Sequence, residues 1–399
     1  MNNRPLEEVA NIYSGNSINA KLKKEKYTDK NFSTPYVATK DLSKNGDFEY
    51  NNGVTIPDNE LDNFKIAPKG STLICMEGGS AGKKIGLLKQ DVCFVNKLGA
   101  LVPNEKINNR YLYYSLQTPG FQAQFKSSLT GIIGGVSLSK LKKLQIPVPS
   151  LQEQEKIVER LDKAFSSISE SIQLYNNKLE NISKLKQSYI DEIFFNYEDT
   201  ADEIVLEDVS TIVGRIGYRG YTKKDLVSEG SGALSLSPSN IKNDAMTYIK
   251  NTFISWEKYE ESPEIKIYNG DIIFCKTGST YGKVAIVKNL KYKATLNPQL
   301  VVLKNLNINN EFLFYQLLTS KFKNFIESIV GGTATPTLSQ TNLGKAKILN
   351  LNKKIQKDLT IKINTFLKKR NLLENNYIQT INLLEELKTS LLIKEFSYE

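Results

Sequence analysis

The chain repeats itself at a shift of about 200 residues. Leu6-Glu-Glu-Val9 recurs as Leu206-Glu-Asp-Val209, and Gly78-Gly-Ser-Ala-Gly-Lys83 recurs as Gly278-Ser-Thr-Tyr-Gly-Lys283. Near the end of each half, Leu185-Lys186 recurs as Leu387-Lys388, at a shift of 202. A drift of two residues over half the chain indicates a tandem duplication of one unit, roughly 200 residues long.

Each unit has two parts of different character. Residues 1–150 and 197–350 mix short β-branched or aromatic runs with Gly and Asn turns, which predicts two α+β globular domains. Residues 151–196 and 351–399 are nearly free of Gly and Pro and follow a helical pattern. The predicted order is therefore first domain, first helix, second domain, second helix.

Both helical segments carry apolar residues at alternating spacings of three and four, with two polar interruptions in the second segment, Arg370 and Thr380. This period of 3.5 is typical of a coiled coil. At 1.5 Å per residue each helix would be on the order of 60 Å long. The predicted contact positions are Val158, Leu161, Phe165, Ile168, Ile172, Tyr175, Leu179 and Ile182, and then Leu359, Ile363, Phe366, Arg370, Leu373, Tyr377, Thr380, Leu384, Leu387 and Leu391.

The start of the first helix can also be predicted. Ile146-Pro-Val-Pro149 favours extended backbone, and Ser150 is a natural N-cap with Glu153 three residues later, a capping box. The second copy, Ile348-Leu-Asn-Leu-Asn352, lacks the prolines and leaves its boundary open.

Two such helices in one chain should pair with each other. An antiparallel pairing would place the two domains at opposite ends of the rod, related by an approximate two-fold axis. A parallel pairing would put both domains at one end. We favour the antiparallel arrangement, so the predicted fold is two α/β domains separated by two long antiparallel coiled-coil helices.

The charge balance favours a polyanionic partner. The chain has 53 Lys and Arg against 43 Asp and Glu, a net charge of +10. Residues 151–196 hold 6 basic and 8 acidic residues, and 351–396 hold 9 and 5, so the helices sum to +2 and the remaining +8 lies outside them. Phosphate contacts are therefore expected on the domains.

The chain has no histidine, which excludes Ser-His-Asp and Cys-His catalysis and the zinc-protease motif. Cys75, Cys93 and Cys275 form no metal-binding pattern and lie in apolar runs, so they are predicted core residues of a reduced protein. No signal segment or membrane-spanning run is apparent, and we expect a cytoplasmic protein with no membrane partner and no metal or cofactor of its own.

The loops at 78–83 and 278–283 have two interpretations. They are not Walker A motifs, because only three residues separate the glycines and no Ser or Thr follows the lysine. A tight strand-to-strand turn with Gly at positive φ accounts for them structurally. The same turns could also approach DNA.

Arg215-Ile-Gly-Tyr-Arg-Gly-Tyr-Thr-Lys-Lys224 interleaves cations with aromatic residues and glycines, so it is either an ordinary exposed basic loop or a DNA contact. We favour the contact, because the first copy has an unlike basic stretch, Lys21–Lys26, at the same place. The predicted DNA-binding residues are Lys40, Ser80, Lys83, Lys84, Arg215, Tyr218, Arg219, Tyr221, Lys223, Lys276, Thr280, Tyr281 and Lys283.

Two other classes of protein remain open. A single-chain nuclease or methyltransferase would need a catalytic motif, and the carboxylate pairs Glu7/Glu8 and Asp191/Glu192 have no nuclease spacing. The Asn/Asp-Pro-Pro-Tyr/Phe methylation signature is also missing from the sequence. A coiled-coil scaffold unrelated to DNA is the other alternative.

The duplicated layout, the passage from Ile146-Pro-Val-Pro149 to Leu151-Gln-Glu-Gln-Glu-Lys-Ile157, the Gly-x-x-x-Gly-Lys turns and the Leu-Lys-x-Ser helix ends resemble the specificity (S) subunit of type I restriction-modification enzymes. The resemblance spans essentially the whole chain. The second copy departs from it, since Asn350–Gln356 lacks the prolines and keeps only Gln356 of the glutamines. A specificity module of another methyltransferase-type phage-defence system is the alternative function.

The resemblance implies a non-catalytic subunit whose two domains each read one half of a split double-stranded DNA target, about one helical turn or 34 Å apart. It also implies two methylation (M) subunits and further restriction (R) subunits as partners, which would carry S-adenosylmethionine, ATP and Mg. Adenine-N6 methylation and ATP-dependent DNA cleavage would belong to that assembled complex. The expected partner-binding residues lie near the helix ends: Leu151, Gln152, Gln154, Ile193, Phe194, Leu391 and Phe396.

Overall fold

The computed structural model describes residues 2–28, 34–131, 134–331 and 336–397, and the side chain of Tyr218 lies outside the described part. The chain divides into two compact units. The first unit contains residues 1–175 and 378–399, and the second contains residues 176–377. Each unit therefore combines one globular domain with one segment of each long helix.

The described residues of the first unit's domain form ten strands and four short α-helices. The strands are β1 (Asn3–Pro5), β2 (Ala10–Ser14), β3 (Thr34–Val37), β4 (Thr55–Ile56), β5 (Ile66–Ala67), β6 (Thr72–Cys75), β7 (Ile85–Leu87), β8 (Val92–Phe94), β9 (Leu98–Pro103) and β10 (Gln145–Pro147). The helices are α1 (Ala20–Lys26), α2 (Asn109–Ser115), α3 (Pro119–Ser127) and α4 (Leu138–Lys143). They are followed by the first long helix, α5 (Leu151–Phe195).

The domain of the second unit follows the same plan. Its strands are β11 (Asp202–Val205), β12 (Thr211–Gly214), β13 (Leu226–Val227), β14 (Gly232–Leu236), β15 (Ile241–Lys242), β16 (Ala245–Met246), β17 (Phe253–Ser255), β18 (Ile272–Cys275), β19 (Val284–Ile286), β20 (Ala294–Leu296), β21 (Leu300–Lys304) and β22 (Lys347–Asn350). The helices are α6 (Leu206–Val209), α7 (Trp256–Glu260), α8 (Asn310–Gln316), α9 (Ser320–Ile329) and α10 (Gln340–Gly344), before the second long helix, α11 (Lys353–Phe396).

The two domains share their sheet topology, which confirms the duplication in three dimensions. An antiparallel sheet has the order β2-β9-β6-β7 in the first unit and β12-β21-β18-β19 in the second. A second sheet contains one parallel pair in each unit, β3 with β8 and β14 with β20. The first and last strands of each domain pair antiparallel, β1 with β10 and β11 with β22, so the two ends of each domain's chain segment lie side by side.

Strand β6 shows how the core is divided between the two faces of its sheet. Leu73 and Cys75 point into the layer shared with the second sheet, and Ile74 points into a core that includes Ile157 and Leu161 of α5. This alternation is the two-residue period of a strand buried on both faces. Cys75, Cys93 and Cys275 are buried and free, as predicted for core residues.

Both long helices begin at a polar cap. The Ser150 hydroxyl accepts a hydrogen bond from the backbone N–H of Glu153 at 3.4 Å, which confirms Ser150 as the N-cap of α5. At the second start the Asn352 carboxamide oxygen accepts from the N–H of Ile355 at 3.0 Å. At the second helix, which lacks the prolines and the serine, Asn352 therefore provides the N-cap.

Segments of α5 and α11 pack antiparallel within the second unit. The rings of Tyr189 and Phe366 stack with their centroids 3.8 Å apart, and the Arg370 Nε donates to the carbonyl of Ile182 at 3.2 Å. Partner numbers on α11 rise as numbers on α5 fall, so the favoured antiparallel pairing is confirmed. In the first unit, Arg160 of α5 and Glu395 of α11 form an ion pair with an Nη2–Oε2 distance of 2.6 Å.

The predicted contact positions hold along α5 better than along α11. Leu373 and Leu387, expected in the seam, are 46% and 45% exposed, so these two assignments are wrong. Leu392, one residue beyond the last predicted position, is 5% exposed and packs beside Leu161. Domain side chains cover parts of the helix that a pure two-helix coiled coil would leave open, so the buried stripe departs from the heptad positions.

Candidate nucleic-acid interface

In each unit, one edge of the antiparallel sheet collects the loops that carry most of the predicted contacts. β2 ends, β9 begins, β6 ends and β7 begins at this edge, because Ser14 pairs with Gly99 and Cys75 pairs with Leu98. The second unit has the same arrangement, with Gly214 opposite Val301 and Cys275 opposite Leu300. We call this the loop edge; it comprises residues 15–19, 76–84 and 95–97 in the first unit and 215–222, 276–283 and 297–299 in the second.

The Gly/Lys loops are the strand-to-strand turns predicted from the sequence. Gly78 and Gly82 have φ of +80° and +72°, and Gly278 and Gly282 have +93° and +81°, a region that strongly favours glycine. At Gly82 a Cβ would also lie 2.6 Å from the Phe125 ring, so its small size is needed as well. The turns join antiparallel strands β6 to β7 and β18 to β19.

The lysines on these turns differ in their exposure and in the hydrogen bonds that hold them to the rest of the chain. Lys83 and Lys283 are exposed, and the Lys83 ammonium bonds within the chain only weakly, to the carbonyl of Gly79 at 3.3 Å. The Lys84 ammonium is half-buried and donates to the carbonyl of Thr39 at 2.8 Å. Lys276 is half-buried beside the 297–299 turn, since its N–H donates to the carbonyl of Gln299.

Other predicted residues on the turns are partly enclosed. Ser80 and Thr280 are half-buried, and the Thr280 hydroxyl lies 3.5 Å from the Cys275 thiol. Tyr281 packs against the core of the second unit. Each turn therefore presents an exposed lysine, Lys83 or Lys283, while Ser80, Thr280 and Tyr281 are partly enclosed by the domain.

A basic cluster forms at the loop edge of the first unit. The Lys23 ammonium of α1 lies 4.6 Å from the centre of the Tyr36 ring. Burial lowers the pKa of Lys23, and the positive charge of Lys40 lowers it further. Lys40 itself is exposed and lies 4.0 Å from the Asp41 carboxylate. Because Lys84 bonds to Thr39, the structure brings α1, Lys40 and the Gly/Lys turn to one place.

The segment after β12 replaces that cluster in the second unit. Arg219 is half-buried and its Nη1 lies 3.5 Å from a Glu264 carboxylate oxygen. The Tyr221 hydroxyl accepts a hydrogen bond from Ser235 at 2.9 Å, while Lys223 is exposed. Arg215 is 4% exposed and bonds to the protein interior, so it is not open to a ligand as the sequence predicted. The side chain of Tyr218, also predicted as a contact, lies outside the described residues.

Several predicted partner contacts are buried within the units. Ile193 and Phe194 are 4% and 3% exposed in the core of the second unit, and Phe194 packs against Phe312. Leu391 and Phe396 pack against the first core, and the Phe396 ring lies 4.9 Å from Tyr111. The sequence predicts that these apolar helix ends bind partner proteins, but the domains cover them. Leu151 and Gln152 are exposed, as a docking contact requires.

Gln154 is the clearest correction. It is fully buried, and its carboxamide accepts from the N–H of Asn108 at 2.8 Å and donates to the carbonyls of Lys106 and Pro149. Gln356 makes the matching bond to the N–H of Asn309 at 3.0 Å. The recurrence of this glutamine at a shift of 202 was the available signal, and it marks a joint between domain and helix rather than a partner contact.

A second joint between domain and helix is formed by a tyrosine whose available signal was also its recurrence, since Tyr114 recurs as Tyr315 at a shift of 201. The Tyr114 hydroxyl donates to Asp162 of α5 at 2.6 Å, and burial raises the pKa of Tyr114 to about 12. In the second unit, Tyr315 makes the equivalent contact to Asn364 of α11 at 2.5 Å. Each domain is thus fastened to the helix segment in its own unit by a buried tyrosine.

The described residues contain neither a candidate metal site nor a candidate membrane span. They contain no group of three or more Cys, Asp or Glu side chains placed to hold a metal ion. None of the described helices is both long enough and apolar enough to cross a bilayer.

Comparison with known proteins places this arrangement among relatives. The model of the type I restriction modification DNA specificity domain matches residues 1–184. The MjaVIII specificity subunit of a type I restriction enzyme from Methanocaldococcus jannaschii is 23% identical over 330 residues, covering 79% of this chain and 74% of the relative. The MjaIX specificity subunit of the same organism is 24% identical over 377 residues, covering 87% and 82%.

A solved structure has the same fold. A chain from a study of complex assembly and conformational transition of the type I R-M system superposes with a TM-score of 0.76, covering 99% of this chain and 97% of that one. At 15% sequence identity, this likeness concerns the fold alone.

Proposed function

We propose that the chain is a DNA specificity subunit of the type I restriction-modification family, whose domain model matches residues 1–184, and that it selects the DNA sequence on which such an enzyme acts. Each domain reads one half of a bipartite target in double-stranded DNA. The observation that carries this proposal is the pair of loop edges, which share one framework and differ in the side chains they present. A shared framework with unlike loops is what two readers of two different half-targets require.

In the proposed mode of binding, exposed lysines fix position and the variable loops read bases. Lysine and arginine contacts to phosphate are independent of sequence, whereas side chains in the major groove distinguish base pairs. Lys40, Lys83, Lys223 and Lys283 are exposed and suited to phosphate. Arg219 and Tyr221 lie in a loop whose sequence differs between the units and are suited to reading.

The chemistry of modification and cleavage is assigned to partner chains. We propose that two methylation subunits and additional restriction subunits assemble with this chain in the cytoplasm, and that they bind S-adenosylmethionine, ATP and Mg. Leu151 and Gln152, exposed at the start of α5, remain the proposed contacts of this chain with a methylation subunit.

Reconstitution tests this assignment. The purified chain alone should neither methylate nor cleave DNA, and the mixture with methylation subunits should methylate a defined sequence. Activity of the chain alone would contradict the proposal. A complex that methylates but recruits no ATP-dependent restriction subunit would favour the alternative, a specificity module of another methyltransferase-type defence system.

Lys283→Ala tests the phosphate contacts. The variant should bind all duplexes more weakly and lower the slope of log K against log salt concentration by about 1, because one counterion-releasing contact is lost. Lys369→Ala, which removes an exposed lysine of α11, is the matched control and should leave the slope unchanged. An unchanged slope for Lys283→Ala would remove Lys283 from the interface.

A further inference from the structure

Arg215 is a buried guanidinium at the loop edge of the second unit. Its Nε donates to the carbonyl of Leu296 at 2.8 Å, its Nη2 to the Thr295 hydroxyl at 2.9 Å, and its Nη1 to the carbonyl of Arg219 at 3.1 Å. The guanidinium carbon also lies 5.5 Å from the centre of the Tyr221 ring. One side chain therefore touches the end of β20 and two points of the segment 216–222.

These contacts hold the segment against the domain. Leu296 and Thr295 are fully buried in β20, which pairs with β14. A buried charge is stable only when hydrogen bonds replace its water, and the planar fork of arginine can serve several acceptors at once. Removing the fork would leave the Arg219 carbonyl and the Tyr221 ring without this anchor, while β20 keeps its own strand pairing.

The far end of the segment is held separately. Thr222 and Asp225 form a capping box, in which the Thr222 N–H donates to the Asp225 carboxylate at 2.6 Å. The stretch between this box and Arg215 is thus fixed at both ends. Arg219, Tyr221 and the exposed Lys223 project from a preset backbone rather than from a free loop.

The first unit holds the equivalent loop by different residues. Gly15 occupies the position of Arg215 at the shift of 200, and a Cβ there would lie 1.9 Å from the carbonyl oxygen of Phe94. The Tyr36 hydroxyl instead donates to the carbonyl of Asn16 at 2.6 Å, and the Ser17 hydroxyl donates to Asn96 at 2.7 Å. Each loop edge therefore has an anchor of its own beneath its variable loop.

We propose that Arg215 is a positioning residue for sequence selection in the second domain: it fixes the segment 216–222 in the shape that reads DNA and does not itself contact the DNA. This inference rests on the proposed function. It assigns to Arg215 a role distinct from phosphate binding, although its charge and its place in a basic segment suggest such binding. Thr295, which is fully buried, takes part in this positioning because its hydroxyl accepts a hydrogen bond from Arg215.

The experiment compares Arg215→Lys and Thr295→Val in the complex of the full chain with its methylation subunits. A pool of randomised duplex DNA is selected with the parent complex and with each variant, at a temperature where circular dichroism shows every chain folded. Arg215→Lys keeps the positive charge but loses the planar guanidinium that serves three acceptors. Thr295→Val removes the buried hydroxyl that accepts from Arg215 Nη2 and that DNA cannot reach.

Arg215→Lys should reduce the preference for the second half of the target by about tenfold, leave the first half unchanged, and keep the salt slope of the parent. Thr295→Val should change the same half in the same direction by a smaller factor. Lys223→Ala is the comparison: it should weaken binding uniformly with a lower slope if that lysine contacts phosphate.

Two results would overturn the proposal. A uniform loss of affinity in Arg215→Lys with a slope lower by about 1 would make Arg215 a phosphate contact. The positioning role would also be excluded if folded Thr295→Val kept the base preference of the parent and Arg215→Lys either kept it too or failed to fold. A parent complex that selects no sequence at all would instead contradict the proposed function, so the two failures are distinguishable.

Discussion

Replacing Phe194 with alanine should lower the free energy of unfolding of the full chain by about 3–5 kcal/mol, the usual loss for a buried phenylalanine. Phe194 is 3% exposed and its ring centre lies 5.6 Å from that of Phe312, where α5 meets the second domain. The deletion would leave a cavity at this joint. Chemical denaturation of the chain without partners measures the effect.

The next residue is the matched control. Phe195 is 69% exposed on the same helix, so Phe195→Ala should change the free energy of unfolding by no more than about 0.5 kcal/mol. If Phe194→Ala left the isolated chain as stable as the parent and weakened only its association with a methylation subunit, Phe194 would be a partner contact, as its sequence context first suggested.

Exchange of the second domain should produce the largest change in specificity. Replacing residues 197–350 with the same domain of a relative should change one half of the DNA target and leave the other half intact. Each mismatched base pair costs about 1–3 kcal/mol, so two or more altered positions should weaken binding to the original target at least about 30-fold.

The structure favours a working exchange. β11 and β22 pair antiparallel with Asp202 opposite Asn350, so both junctions of the replaced segment lie close together. The donor domain must keep apolar partners for Ile190 and Phe194, which pack against it from α5. Replacing residues 1–150 is the reciprocal control and should change the opposite half. A change in both halves after either exchange would contradict independent reading.

The features that the sequence predicted well depend mainly on residues close together in the chain. The Ser150 cap, the buried cysteines and the glycine turns follow from patterns that a few neighbouring residues determine, and the duplication follows from the recurrence of such patterns about 200 residues later. The antiparallel pairing of the helices followed from one constraint of connectivity, the domain that lies between them in the chain.

The features that sequence missed depend on contacts between distant segments. Gln154 is polar and near a helix start, which is typical of an exposed residue, yet the distant backbone groups of Lys106 and Asn108 make it a buried joint. Arg215 lies in a basic, glycine-containing segment and is buried only because β20 supplies acceptors some 80 positions later. Leu373 is exposed although its spacing matches the heptad pattern.

The most direct test of the central claim, that two unlike domains of one duplicated chain each read a separate half of one target, is a genome-wide map of methylated adenines in a host with and without this gene. The account predicts a motif that disappears with the gene and consists of two different specified blocks separated by a fixed number of unspecified base pairs. A single contiguous motif, or a methylation map unchanged by loss of the gene, would contradict it.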